Sequence, residues 1–395
     1  MLIKSIKLNN FLSFGDTAET VQLRPLNVII GPNGSGKSNL LEAIDLLRNA
    51  PNELTKPIRE GGGVLEWLWK GAKEKNPNAS LDVNIECLNY SLDYGLVFCA
   101  AFDQRFFISA EKIKTDNDKV SKFFYWSDRG KGAILRTRNG EKRELARISI
   151  EKSIITQLRD PKEYPELSYL ADNFCKIKLY REWSFGRYAI PRMPQKADMP
   201  NDMLESDASN LGLVLNRLRR EPVAKKQLLT SLKTLSESID DYDVRIEGGT
   251  VQVFFQEGNY IIPATRLSDG TLRYLCLLSI LCHPIPPPLV CIEEPELGLH
   301  PDVLPALADL MKEASKRCQL IVTTHSDILV DAMTDQPESV LVCDKDENGT
   351  ALHRLDAEQM KLWLEKYRLG ELWISGQPWA DRFVKTAKAK MGVTL

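Results

Sequence analysis

One octapeptide constrains this chain more than any other stretch. Gly31-Pro-Asn-Gly-Ser-Gly-Lys-Ser38 leaves an apolar pentad, Leu26–Ile30, and opens directly into NLLEAIDLLRN. In that last segment Leu40, Leu41, Ile44 and Leu47 share one helical face, opposite Glu42, Asp45 and Arg48. A buried strand that turns through glycines into a helix is the layout of a phosphate-binding loop. Glycine lets successive N–H groups turn inward, and the helix start adds a dipole that favours an anion. The pattern therefore expects Gly31, Asn33, Gly34, Ser35, Gly36 and Asn39 to frame phosphates. Lys37 should reach the β- and γ-phosphates, and the Ser38 hydroxyl should ligate Mg²⁺. A glycine-rich turn that binds nothing is the plainer alternative; strand, helix and Lys-Ser pair together argue against it.

Composition narrows the remaining classes. At 395 residues the chain should form two or three packed units. A hydrophobic fraction of 43% excludes disorder, and only 23 Gly and 21 Pro exclude a collagen-like chain. No apolar run approaches the roughly 18 residues a membrane span needs. The start, MLIKSIKLNNFLSF, alternates rather than reading as a signal peptide, so a soluble cytoplasmic protein with no membrane partner is expected. With 52 Lys+Arg against 54 Asp+Glu, any nucleic-acid surface must be local. The eight cysteines form no Cys-x-x-Cys pair and no ligand spacing with the four histidines. Free thiols in a reducing compartment are expected, not disulfides or zinc.

Five segments can be read along the chain. Residues 1–80 hold the loop and the N-terminal half of a nucleotide-binding core. Residues 81–150 alternate with period two, in runs such as LDVNIEC, GLVFCAAF and RFFISAEKI, and predict an antiparallel β subdomain. Residues 151–240 turn helical, most clearly in LGLVLNRLRREPVAKKQLLTSLKTL. Residues 241–356 open with a hairpin turning at Gly248–Gly249, then alternate helix and buried strand, which argues for a mainly parallel sheet. Residues 357–395 form a helical tail carrying Trp363, Tyr367, Trp373 and Trp379, which either docks on the core or presents a partner surface.

Three distant motifs fit the same ligand. Leu-Val-Cys-Ile-Glu-Glu-Pro295 is a buried strand ending in two acids; Glu293 suits Mg²⁺ and Glu294 suits the attacking water. Leu320-Ile-Val-Thr-Thr-His325 ends a second strand with an imidazole that could contact a γ-phosphate. Leu267-Ser-Asp-Gly-Thr271 precedes a long apolar helix, so Ser268 and the Gly270 backbone make a candidate second anion site. Taken alone, it reads as an ordinary N-cap.

In this order, the loop, LSDGT, the acid-tipped strand and the strand-end histidine resemble the ABC-type ATPase heads of the SMC/RecF-like class. The resemblance implies an α/β fold: a P-loop ABC-type ATPase head with an antiparallel β subdomain and a helical insertion. It implies ATP and Mg²⁺ as cofactors, and a homodimer or higher oligomer closed through the ATP site. Ser268 of one protomer would then face the loop of another; families of this class usually carry Gly where this chain has Asp269. Gly298-Leu-His-Pro301 falls where the class has its protomer-communication loop, which makes His300 an interface candidate. The class also uses a glutamine near Mg²⁺ and water, and Gln157 and Gln195 both fit. The runs EEPELGLHP, THS and YRLGELW are similar to a stand-alone bacterial ATPase family whose members often accompany a nuclease or other toxic effector in anti-phage defence. A separate effector partner, and DNA, are thereby implied. The alternatives are a slowly hydrolysing nucleotide-dependent clamp, or a nuclease built on Asp344 and Asp346, which the plainer reading makes an acidic turn.

Two basic stretches could touch nucleic acid. Arg129, Lys131, Arg136, Arg138, Lys142, Arg143 and Arg147 form one. Arg181-Glu-Trp-Ser-Phe-Gly-Arg-Tyr188 with Arg192 and Lys196 forms the other, mixing cations with rings. A solvated turn and a packed aromatic cluster are the plainer readings of each.

Overall fold

The computed structural model describes residues 2–374 apart from 75–76, 88–89, 118–119, 129–131, 146–147, 182 and 366. The chain forms two compact units: Met1–Lys178 with Leu341–Leu355, and Leu179–Val340 with Asp356–Leu395. The division falls within the segment read from sequence as a helical insertion.

The first unit carries an eight-stranded antiparallel sheet. Its order is Val21–Gln22, Ile3–Asn9, Ala79–Cys87, Tyr90–Ala100, Phe106–Asn117, Val120–Asp128, Gly132–Arg136 and Lys142–Glu144. The period-two runs thus pair as a meander, and the N-terminal strand joins it, with Leu8 opposite Leu81. The reason is its own alternation: Ile3, Ile6 and Leu8 are buried, as are Leu81, Val83 and Ile85 across the ladder. Phe11 meets Trp67 and Phe98 edge-on, at 5.5 and 5.9 Å between ring centroids. Among the described residues of this unit, Glu111 is a fully enclosed acid. Glu111 accepts from Tyr94 Oη (2.8 Å), Ser153 Oγ and Ile154 N (2.9 Å), and burial raises its pKa.

In the same unit Leu26–Ile30, buried at every residue, neighbours Val340–Asp346, which turns back antiparallel into Gly349–Arg354. Asp344 pairs with Ala351 and Asp346 with Gly349, so both acids belong to a hairpin. Among the described residues no group of three or more His, Cys, Asp or Glu side chains is placed to hold a metal.

The second unit is built around two parallel strands, Leu289–Glu293 and Gln319–Thr323, with Val290 beside Leu320 and Glu293 beside Thr323. Leu179–Tyr180 lie on the strand next to the first of these. The helix Asp269–Leu281 is buried at every position from Leu272 to Leu281, where all but Arg273 and Ser279 are apolar or aromatic and those two are hydrogen-bonded to backbone carbonyls. The expected hairpin gains a strand: Asp241–Glu247 pairs with Thr250–Glu257 across Gly248–Gly249, and Tyr260–Pro263 pairs with the second of these. The tail docks through Leu369–Ile374, where Leu369 N donates to Thr334 Oγ1 (3.1 Å) and Arg368 Nε to Asp331 Oδ2 (2.5 Å). Trp363 and Tyr367 stack 6.4 Å apart and stay exposed; Trp379 lies outside the described residues. Among the described residues no helix is long and apolar enough to cross a membrane.

Candidate nucleotide site

The phosphate-loop geometry comes from short-range sequence and a few distant supports. Leu26–Ile30 delivers the chain to Gly31, and the helix Lys37–Asn49 begins behind Gly36. Gly36 has φ 109°, and a Cβ there would meet Thr350 Oγ1 and Ser13 Oγ, so only glycine fits. Thr350 Oγ1 donates to Ser35 O (2.7 Å) and lies 2.7 Å from Ser13 Oγ, which also accepts from Asn39 Nδ2 (2.6 Å). Cys343 Sγ donates to Ser35 O as well, and burial pushes this thiol up to about 11. Ser13, Cys343 and Thr350 carried no signal in the sequence; they act only through the folded contacts.

The helix start has no side-chain cap and no acid in its first turn. The residue at the cap position is a glycine, which has no carboxylate or hydroxyl of the kind that usually takes a leading N–H group. Buried Lys37 donates Nζ to Gly31 O (2.8 Å) and Pro32 O (3.0 Å), which brings its cation to the loop itself. Asn33, Gly34 and Ser38 are exposed, and Gly31 and Ser35 buried, with Ser35 Oγ lacking any partner. A glycine-led helix start, a fixed cation and an orphan hydroxyl fit a triphosphate. The hydroxyl of Ser38 and the carboxylate of Glu293 are hard oxygen donors, the type Mg²⁺ selects.

In the second unit the two acids sit at the end of Leu289–Glu293. Glu293 Oε2 accepts from Arg181 Nε at 3.0 Å. Glu294 leaves the strand with φ 46°, unusual for a non-glycine residue, and its N–H donates to Thr323 O (2.9 Å). Its carboxylate lies 3.5 Å from His325 Nε2. Its carbonyl accepts from Arg273 Nη2 (3.1 Å), whose guanidinium lies over Trp183 and Phe185 at 5.6 and 5.8 Å and loses proton affinity through burial. Glu296 Oε1 takes the His325 N–H and the Thr324 hydroxyl, both at 2.7 Å. Acid, imidazole and their supports thus form one cluster, to which sequence reasoning assigned Glu293, Glu294 and His325 but not Arg181, Arg273 or Glu296.

The LSDGT helix start is built differently. Ser268 Oγ accepts the Thr271 N–H (3.0 Å), and Asp269 pairs with buried Arg192, which also donates to Leu267 O, to Thr265 O (3.3 Å) and to Gly186 O (3.0 Å). A Cβ on Gly270 would stand 2.7 Å from Gly298 O, so the loop bearing His300 packs directly on this turn. His300 is exposed and lies 3.3 Å from Asp302 through Nδ1.

Both candidate glutamines have partners of their own. Gln157 accepts from Ser149 N (3.0 Å) and donates to Lys152 O (2.8 Å); buried Gln195 accepts from Gly212 N (2.7 Å) and donates to Ala208 O (3.4 Å). The basic stretches divide similarly. Arg181 and Arg192 are tied inward to Glu293 and Asp269, while Arg187, Tyr188 and Lys196 are exposed. Arg143 meets Glu163 (3.6 Å) and Glu141 (3.8 Å); Arg129, Lys131 and Arg147 lie outside the described residues.

A glycine-turned strand-to-helix loop, a capped LSDGT helix, an acid-tipped parallel strand and a strand-end histidine, in that chain order, define an SMC/RecF-like ABC-type ATPase. Comparison with known proteins agrees. Residues 26–331 match the family described as "AAA domain, putative AbiEii toxin, Type IV TA system", and the chain belongs to that family. It is 28% identical over 177 residues to the chromosome partition protein Smc of Fusobacterium nucleatum, covering 40% of this chain and 14% of that protein. It is 36% identical over 91 residues to the DNA replication and repair protein RecF of Bacillus cytotoxicus, covering 22% of this chain and 23% of that one. The chain therefore spans a minor part of these relatives. In fold it is similar to an Smc head bound to the C-winged helix domain of ScpA, with a TM-score of 0.56, 15% identity and coverage of 91% and 99%. A Pyrococcus furiosus Smc head with an extended coiled coil, bound to the C-terminal domain of ScpA, gives 0.55 at 13% identity, covering 93% and 99%.

Proposed function

We propose that this chain binds ATP with Mg²⁺ at Gly31–Ser38 and hydrolyses it, water attacking the γ-phosphate. The observation that carries the reading is the glycine-turned helix start behind Gly36, with Lys37 already held at the loop by Gly31 O and Pro32 O. Lys37 exchanges its two loop carbonyls for β- and γ-phosphate oxygens, and the first-turn N–H groups complete the cradle. Ser38 and Glu293 are the protein ligands of Mg²⁺. When bound, the ion screens charge on the β- and γ-phosphates. Glu294 orients the water and accepts its proton, while Arg273 holds its backbone. His325, beside the Glu294 carboxylate, donates to the γ-phosphate.

In the same proposal two copies close around ATP, each offering Ser268 to the other's loop. The Ser268 cap uses an oxygen lone pair and Thr271 can donate into it, so the serine proton is available for a phosphate oxygen. Closure and release then act as a cytoplasmic switch on a separate effector, a nuclease or toxin, in DNA transactions or defence against phage.

Two variants test the reading. Lys37→Ala should weaken binding of a fluorescent ATP analogue about 100-fold, the loss of two charge-assisted hydrogen bonds. Glu294→Gln should keep nucleotide, accumulate as a dimer in light scattering, and lower phosphate release by about 10²–10⁴, the usual worth of a positioned base. Hydrolysis at the parental rate in Glu294→Gln would refute the assignment of the water.

A further inference from the structure

We propose that Arg181 is the positioning residue of the metal site: an internal counter-ion that holds Glu293 until Mg²⁺ arrives with ATP. The proposal rests on the reading of Glu293 as the metal-side acid.

The ABC resemblance called for a glutamine near metal and water, and both candidate amides are hydrogen-bonded to backbone groups elsewhere. A guanidinium does reach the metal-side carboxylate, Arg181 Nε to Glu293 Oε2 at 3.0 Å. It comes from the residue that follows the strand Lys178–Tyr180, neighbour of the strand ending in Glu293. Its base is firmly anchored. Tyr180 is buried and donates to Leu204 O (2.7 Å), and Trp183 donates to Ser206 O (2.9 Å) and packs on Tyr180 at 5.7 Å. Arg181 and Glu293 side chains are only 22% and 20% exposed, so water screens the pair incompletely.

A guanidinium has no lone pair to offer a cation and cannot take over the role of a glutamine as ligand. Its chemistry at this carboxylate is the reverse. A partly buried acid without a partner is costly, and Arg181 removes that cost when no metal is present. A divalent cation and a guanidinium draw on the same carboxylate charge and repel each other, so Mg²⁺ binding at Glu293 works against the Arg181 contact. Nucleotide phosphates favour the exchange, since they supply further oxygen ligands to the ion and an acceptor for the displaced guanidinium. Metal capture is thereby tied to nucleotide arrival.

The test is a titration of Mn²⁺ against a fixed concentration of fluorescent, non-hydrolysable ATP analogue bound to the full chain, which reads binding and not turnover. Arg181→Gln should lower the half-saturating Mn²⁺ concentration about tenfold, because opposite charges at this range shift a carboxylate's cation affinity by that order. It should also weaken metal-free nucleotide binding. Arg181→Lys should stay near the parent, and Arg181→Met, which keeps the packed stem, should follow Gln if Gln impairs folding. In a Glu293→Gln background, Arg181→Gln should change nothing. An unchanged Mn²⁺ requirement in folded Arg181→Gln and Arg181→Met, with nucleotide still bound, would overturn the counter-ion role alone. A parental chain that binds no nucleotide at any Mn²⁺ concentration would overturn the ATP reading, and this role with it.

Discussion

The helix Lys37–Asn49 starts behind Gly36, which has no side chain to cap it, and has no acid in its first turn. The helix Asp269–Leu281 starts behind Ser268, whose hydroxyl takes the Thr271 N–H, and carries Asp269 in its first turn, paired to Arg192. Both bury an apolar body. They differ in who satisfies the leading N–H groups. The second takes one of these groups, the Thr271 N–H, with its own serine. The first begins at a glycine, which forgoes a side-chain cap worth about 1 kcal/mol and leaves room for an anion to approach the backbone closely. Sites of this kind are recognisable by a stabilising device that is missing.

The comparison can be broken or sharpened by substitution. Gly36→Ala should have the largest effect: strain and the collision with Thr350 and Ser13 predict about 2–3 kcal/mol lost in urea unfolding, together with nucleotide binding. Asn39→Asp would place a carboxylate in the first turn of the open helix, imitating Asp269. ATP affinity should fall about tenfold by calorimetry, as expected for a like charge near phosphate, while the melting temperature holds or rises slightly. Ser268→Ala, which removes the second helix's own cap, should be the mildest, costing about 1 kcal/mol of stability with the intrinsic affinity of a single loop for ATP unchanged. A Ser268→Ala chain that loses nucleotide as strongly as Lys37→Ala would erase the distinction between the two helix starts.

Much of this was legible from local pattern. The strand Leu26–Ile30, the loop and the helix from Lys37 are contiguous, and the physics that shapes them spans a few residues. The period-two runs of the meander were readable for the same reason, though not that Ile3–Asn9 would pair with them, since strand partners are chosen by matching buried faces across long intervals. The fate of Gln195 was invisible: its amide is taken by Gly212 N, and no spacing rule foresees that bond. Arg181 and Arg192 looked like members of a cationic surface because they stand among aromatic residues. Folding turned both inward, onto Glu293 and Asp269, residues 112 and 77 positions away.

By itself the sequence determined the local elements: the glycine loop, the acids at a strand end, the serine cap and the alternation that makes a sheet. Each depends on backbone preferences and side-chain periodicity over a turn or a strand. Only the tertiary structure decided which cation neutralises which acid and which carbonyl crowds which glycine. Those outcomes depend on distances between residues remote in sequence, and charge, burial and steric exclusion act through space, with no regard for position along the chain.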